Sequence, residues 1–250
     1  MRRLISAALL LLAFGTAAEA AESTKPPAQH WSFSGMFGTF DRAAQQRGFQ
    51  VYKEVCAACH AVNLLSYRHL RGIGYQEDDV KAIAAQAKVM DGPNDAGEMF
   101  ERAGRPSDKF ARPFPNENAA RSANNGAYPV DLSLVVKARV GGANYIYALL
   151  TGYGTAPADV KIADGMSYNA YFPGRQIAMP PPLNADGVTY QDATKATIEQ
   201  QARDVTTFLA WAAEPELEAR KQMGLKVLLF LIVLTGILYA AKRKVWAAVH

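Results

Sequence analysis

Two thiols three residues apart with an imidazole directly after them, Cys56-Ala57-Ala58-Cys59-His60, are the residues of this chain whose types and spacing specify a chemistry. They match the attachment signature of a c-type haem. On a helix, Cys56, Cys59 and His60 fall at i, i+3 and i+4 and share one face, so two thioethers and an iron ligand come from a single turn. His60 would hold the iron through one ring nitrogen while the other donates to a nearby carbonyl. Two other readings use the same residues. Half of a zinc site needs a second ligand pair at ligand spacing, and neither further cysteines nor the scattered His30, His69 and His250 supply it. A thioredoxin-like redox pair follows a strand and opens a helix, whereas this pair ends a helical pattern.

An electron-transfer haem is closed by a second protein ligand, and a haem enzyme keeps that position open. Met179, in Ile177-Ala178-Met179-Pro180-Pro181-Pro182-Leu183, offers a soft thioether on backbone that the prolines hold extended. Spacing alone weighs that role evenly against gap-filling in the core. Met166, in a polar Gly165-Met166-Ser167 loop, is the next candidate; Met90 and Met99 flank an acidic loop and read as packing or surface residues. His69 follows His60 too closely to reach the opposite haem face and reads as a satisfied polar side chain.

These groups must be positioned by helices and by long loops. Asp41 is placed to cap a helix running toward His60, with Phe49, Tyr52, Cys56 and Cys59 at helical spacing. A second amphipathic pattern from about Thr194 to Ala213 puts Ile198, Ala202, Val205, Leu209 and Ala212 on one stripe that packs across the first. Glu214-Pro215 marks a boundary after it. Between the two patterns lie Gly92-Pro93, Gly104, Pro106, Pro113, Pro115, Gly126, Pro129, Gly141-Gly142, Gly152 and Pro180 to Pro182, too many breakers for a simple bundle. Leu132 to Arg139 and Tyr145 to Leu150 are the short helices expected there, with loops wrapped on the porphyrin elsewhere. The expected fold is mainly α: a c-type cytochrome domain with long haem-wrapping loops, followed by one C-terminal transmembrane helix.

Both ends carry membrane signals. Met1-Arg2-Arg3, the apolar run Leu4 to Leu12 and the exit Ala18-Glu19-Ala20 read as a signal peptide over residues 1–20. Gly224 to Ala241 is apolar except for Lys226, near the ~20 residues that cross a bilayer. Lys242-Arg243-Lys244 follow, placing the tail in the cytoplasm by the positive-inside rule. The expected organisation is an exported, periplasmic haem domain over 21–222, an anchor in the bacterial inner membrane over 223–243 and a cytoplasmic tail over 244–250. The formal charge of +4 is misleading, because the signal and the residues flanking the anchor hold eight cations. Ala21 to Ala219 carries 19 basic and 22 acidic residues, a balance of −3. That excludes nucleic acid as a partner and favours a basic soluble protein, which Glu77-Asp78-Asp79 and Asp91 to Glu101 would steer.

With these residues in view, the chain resembles the cytochrome c1 family. The resemblance runs through Arg47-Gly48-Phe49-Gln50-Val51-Tyr52 to His60, Tyr67-Arg68, Asp91-Gly92-Pro93-Asn94, Ala123-Asn124-Asn125-Gly126 and Asp131-Leu132-Ser133. It continues through Lys137-Ala138-Arg139, Tyr145 to Tyr153, Tyr171-Phe172-Pro173-Gly174, Met179-Pro180, Thr207 to Glu216 and Met223-Gly224-Leu225-Lys226. The resemblance implies one covalent haem c on Cys56 and Cys59, iron ligation by His60 and Met179, Arg139 near a haem propionate, and Asn124 and Tyr145 lining the pocket. It further implies a subunit of ubiquinol–cytochrome c oxidoreductase that passes single electrons from the Rieske iron–sulfur protein to a soluble or anchored cytochrome c. Cytochrome b and a dimeric complex come with that reading. Two competing classes are a membrane-anchored haem enzyme with an open distal position, and an anchored cytochrome serving another oxidase or reductase. The chain departs from the family at Pro129-Val130, where two successive prolines are common, and it has no cysteines left for the extra disulfide of some bacterial members.

Overall fold

The computed structural model describes residues 24–158 and 160–247, so the signal-peptide segment and His250 lie outside the described residues. Helix α1 (Arg42–Glu54) begins where Asp41 accepts a hydrogen bond from the Ala44 N–H at 3.1 Å, the cap that its position predicts. It stops at Glu54, short of the expected end. Val55 caps it, and Cys56–Ala58 form a separate 3₁₀ turn.

The second long pattern becomes helix α6 (Ile198–Ala213), capped by Thr197 rather than near Thr194. Its stripe is broader than amphipathic spacing suggests. Gln201, Asp204, Thr206 and Thr207 are buried along with the apolar residues, because α6 runs through the centre of the domain. The two helices cross at Gly48, where an added Cβ would lie 2.0 Å from the Asp204 carbonyl oxygen. Only glycine lets the backbones meet there. Phe49 and Tyr52 then reach the Phe208 ring, with centroids 5.6 Å apart in each pair, and Phe110 and Trp211 extend the aromatic core.

The breaker-rich middle is more ordered than the sequence suggests. A seven-residue 3₁₀ helix (Tyr67–Ile73), α2 (Glu77–Ala85), a hairpin of β1 (Lys88–Asp91) and β2 (Phe100–Ala103), and α3 (Glu117–Ala123) precede the two expected short helices. Those two are α4 (Val135–Ala138) and α5 (Gly142–Thr151), close to their predicted places. Strands β3 (Ser167–Tyr168) and β4 (Gln176–Ile177) pair antiparallel just before Met179. His69 belongs to the 3₁₀ helix, and its Nδ1 accepts from the Ser66 N–H at 3.0 Å.

After the turn at Glu214-Pro215, α7 (Leu217–Trp246) continues for 30 residues with none of them buried. It is the one described helix long and apolar enough to cross a membrane. The fold is therefore mostly helical, a loop-rich domain with a single long apolar C-terminal helix.

Candidate functional site

The 3₁₀ turn does what the helical spacing required of it. The Cys56 carbonyl accepts from the N–H groups of Cys59 (3.1 Å) and His60 (2.8 Å), so both thiols and the imidazole sit on one tight turn. Both cysteines are free thiols. Burial, with a smaller contribution from Cys59, pushes the Cys56 thiol up to about 12, so it stays protonated and apolar in this environment. The Tyr52 hydroxyl donates to the His60 carbonyl at 3.2 Å and ties the turn back onto α1.

His60 Nδ1 lies 2.7 Å from the Val130 carbonyl oxygen. A carbonyl is only an acceptor, so Nδ1 carries the proton and Nε2 presents its lone pair. Burial lowers the imidazole's affinity for a second proton, offset in part by this hydrogen bond and by the Asp131 charge. The neutral, oriented ring is the form that binds a metal. The departure from two successive prolines thus falls on the residue whose carbonyl orients His60, and valine supplies that oxygen as proline does. Adjacent bonds lock the two loops together: Asn63 N–H to Asp131 Oδ2 (2.9 Å), Leu64 N–H to Ser133 Oγ (3.0 Å) and Leu132 N–H to the Ala61 carbonyl (2.8 Å).

Met179 is partly buried, and its backbone is held by a separate set of contacts. The Tyr153 hydroxyl donates to the Met179 carbonyl at 3.1 Å. Tyr153 is itself fixed by a bridge to Asn169. Asn169 is fully buried, donates to the Leu149 carbonyl (2.8 Å) and accepts from the N–H groups of Tyr171 (3.1 Å) and Phe172 (3.2 Å). Neither Tyr153 nor Asn169 stood out in the sequence as a site residue, since a single polar residue in a loop carries no periodicity. Tyr153→Phe keeps the ring and removes the donor. Chemical unfolding of the folded chain is expected to show a loss of about 1 kcal/mol, and no loss would mean that other contacts hold the Met179 backbone.

Tyr145, on α5, is half-buried, and burial raises its phenol while the nearby Arg139 guanidinium opposes the rise. Burial raises the Tyr153 phenol, with a smaller contribution from the nearby Tyr145, and Tyr153 in turn bonds the Met179 carbonyl. Arg139 is exposed, its guanidinium reaches the Ala138 carbonyl at 3.5 Å, and so it offers a cation. Asn124 ends α3 and donates to the Ala120 carbonyl at 2.7 Å. Ala120, Tyr128, Pro129 and Asp131 line a cavity of about 100 Å³ that reaches Cys59, and Asn124 is not among its lining residues. A larger cavity, about 250 Å³, is walled by Phe49, Tyr52, Tyr67 and Phe110 beyond Ala57. It contains neither His60, Met179 nor Arg139, and the candidate site is defined by those side chains rather than by cavity size.

The donor set fits a haem better than a protein-only metal centre. Among the described residues no three His, Cys, Asp or Glu side chains gather as metal ligands. What one turn gathers is a pair of thiols and one oriented imidazole, while the Met179 thioether is carried on a separate loop whose backbone Tyr153 holds.

The sequence profile of the Cytochrome C1 family matches residues 31–249. Cytochrome c1 of Rhodospirillum rubrum is 48% identical, over 98% of this chain and 97% of that protein. The mitochondrial cytochrome b-c1 complex catalytic subunit of Candida albicans is 48% identical, over 94% of this chain and 81% of its own length. Cytochrome b/c1 of Bradyrhizobium diazoefficiens is also 48% identical over 99% of this chain, which spans only 39% of that longer protein.

Proposed function

This chain belongs to the cytochrome c1 family, and we propose that it is the electron-exit subunit of a ubiquinol–cytochrome c oxidoreductase, passing single electrons from a Rieske iron–sulfur protein to a soluble or anchored cytochrome c. The observation that carries this reading is the 2.7 Å contact from His60 Nδ1 to the Val130 carbonyl, which leaves Nε2 as an oriented ligand beside two free thiols. Haem c, when bound, supplies an iron that alternates between ferric and ferrous states. Cys56 and Cys59 would hold that group covalently, and His60 and Met179 would supply its two protein ligands, which suits electron transfer rather than oxygen or peroxide chemistry. Arg139 would stabilise a propionate of that group as a fixed cation, with Tyr145 beside it and Asn124 next to the pocket through its bond to Ala120. Leu64, Val130 and Leu134 are exposed beside the His60 loop and give an electron partner an apolar surface to approach.

Residues 1–20 are proposed as a signal peptide, 21–222 as the periplasmic haem domain, 223–243 as the anchor in the inner membrane and 244–250 as the cytoplasmic tail. Cytochrome b is the membrane partner and the complex is a dimer. The reading is tested in membranes carrying the whole complex. Added quinol is expected to reduce the c-type haem of this chain only when the Rieske protein is functional. Reduction at an unchanged rate without it would overturn the assignment.

The acidic segments retain part of their steering role. Lys81 pairs with Glu77 (3.0 Å) and Asp78 (3.2 Å), while Asp79 accepts from the Gln76 N–H. In the hairpin Arg102 pairs with Asp91, and Lys88 with Glu101 at 2.7 Å. These pairings leave about two negative charges per segment. Neutralising Glu77, Asp78 and Asp79 together should lower the association rate of a basic cytochrome c by roughly threefold at low salt. An unchanged dependence of rate on ionic strength would remove this segment from docking.

A further inference from the structure

The loop from Trp31 to Phe40 is strapped to the head of α7. The Lys221 ammonium donates to the carbonyls of Phe33 (2.8 Å) and Gly38 (2.9 Å). One turn nearer the domain, Glu218 accepts from the Phe40 N–H (2.8 Å) and pairs with Arg42 (2.8 Å). The chain leaving this loop therefore climbs away from the anchor. Gly38 sits level with Lys221, and Phe40 and Arg42 sit level with Glu218, about 4.5 Å back along the helix axis.

The excursion between the two carbonyls is tight. The Ser34 N–H donates to the Trp31 carbonyl (3.0 Å) and the Thr39 N–H to the Ser32 carbonyl (3.1 Å). A Cβ at Gly38 would lie 2.0 Å from the Ser34 carbonyl oxygen. At the tip two large apolar side chains stand side by side in the open, Met36 at 61% and Phe37 at 77% exposure, while Phe33 and Phe40 of the same loop turn inward onto each other with ring centroids 5.1 Å apart. Lys221 is only two residues before Met223, about 3 Å further along the axis, where the apolar stretch of α7 begins, with Lys226 the one cation inside it.

We propose that Met36 and Phe37 insert into the headgroup–acyl boundary of the phospholipid bilayer, giving the domain a second, monotopic membrane contact beside its helix. This rests on the reading of α7 as a membrane span. The placement follows from continuity: the loop that carries the exposed apolar tip is held at Lys221, beside the point where α7 turns apolar, and Lys221 is a cation of the kind found at headgroups. A single helix leaves a domain free to swivel. A second contact braced by Lys221 and Glu218 fixes the haem face relative to the membrane plane, where its partners must meet it.

The test uses the full chain in native membranes, with a photoreactive p-benzoylphenylalanine at one position at a time. Phe37→p-benzoylphenylalanine reports on the loop, Ile232→p-benzoylphenylalanine on the middle of α7, and Phe100→p-benzoylphenylalanine on the exposed hairpin. After irradiation, mass spectrometry is expected to find phospholipid adducts at positions 37 and 232, each about tenfold above position 100. A polypeptide adduct at 37, or none there while 232 labels lipid, overturns the proposal. Absence of lipid adducts at 232 overturns the span reading, and with it the proposal.

Discussion

Met179→Leu is expected to leave the domain folded and its haem attached, but to open the iron. Leucine is close to methionine in volume and packs in its place at a cost below about 1.5 kcal/mol, so the change isolates the sulfur. Three readouts follow from the proposed ligation. The ferric protein loses the weak red absorption band of sulfur–iron coordination. Cyanide, excluded from the parent, binds readily to the ferric form. The midpoint potential falls by something on the order of 0.2 V, a fraction of the ~0.8 V over which axial ligation tunes haem. Since thioether ligation raises the potential to the range in which a Rieske centre can donate, quinol-driven reduction of the haem should nearly cease in the variant. The Tyr153 hydroxyl and the buried Asn169 are untouched by this change, so the loop that carries residue 179 keeps its path. A parent protein without the red band, and with ready cyanide binding, would make Met179 a packing residue and bring a haem enzyme with an open position to the front.

How much of this site was legible beforehand depends on the range of the interactions that build it. The thiol pair and its histidine are local, and one turn of backbone realises their spacing even though α1 stops at Glu54 and the turn is 3₁₀. The cap at Asp41 and the boundary at Glu214-Pro215 are local too, and both stand where the sequence puts them. The Val130 carbonyl is 70 residues from His60, and the Tyr153 hydroxyl is 26 from Met179. No periodicity encodes such pairs. Helices α2 and α3 carry no sequence signature for a different reason. Each is short and mostly exposed, with two buried residues in α2 and one in α3, so neither shows an apolar stripe. Helix α6 misled in the opposite sense, because Asp204 and Gln201 look like a solvent face until their partners are known.

Asp204 provides the second large effect, on the fold that delivers the haem ligands. Its side chain is fully buried, and its two oxygens accept from Arg47 Nε at 2.9 Å and Nη2 at 3.1 Å, a bidentate pair across the α1–α6 crossing. Gln200 Nε2 adds bonds at 3.0 Å to each oxygen, and Asp192 takes the remaining guanidinium nitrogen at 2.7 Å. Removing one partner of such a pair leaves a buried charge with no counter-ion, which costs about 3–5 kcal/mol. Arg47→Ala is therefore expected to lose that much in chemical unfolding, at least a fifth of the ~5–15 kcal/mol that stabilises an ordinary domain. Arg47→Ala with Asp204→Ala should recover part of the loss, because no isolated charge remains. A double variant as unstable as the sum of the two singles would show that packing, rather than the ion pair, holds the crossing. Gly48→Ala tests the same contact by shape alone. Its Cβ has backbone, not a yielding side chain, 2.0 Å away, so α1 must shift from α6. The turn at Cys56 starts two residues beyond the end of α1, and moves with it. The yield of haem-loaded protein should then fall more steeply in this variant than in Tyr153→Phe, which disturbs only the Met179 side.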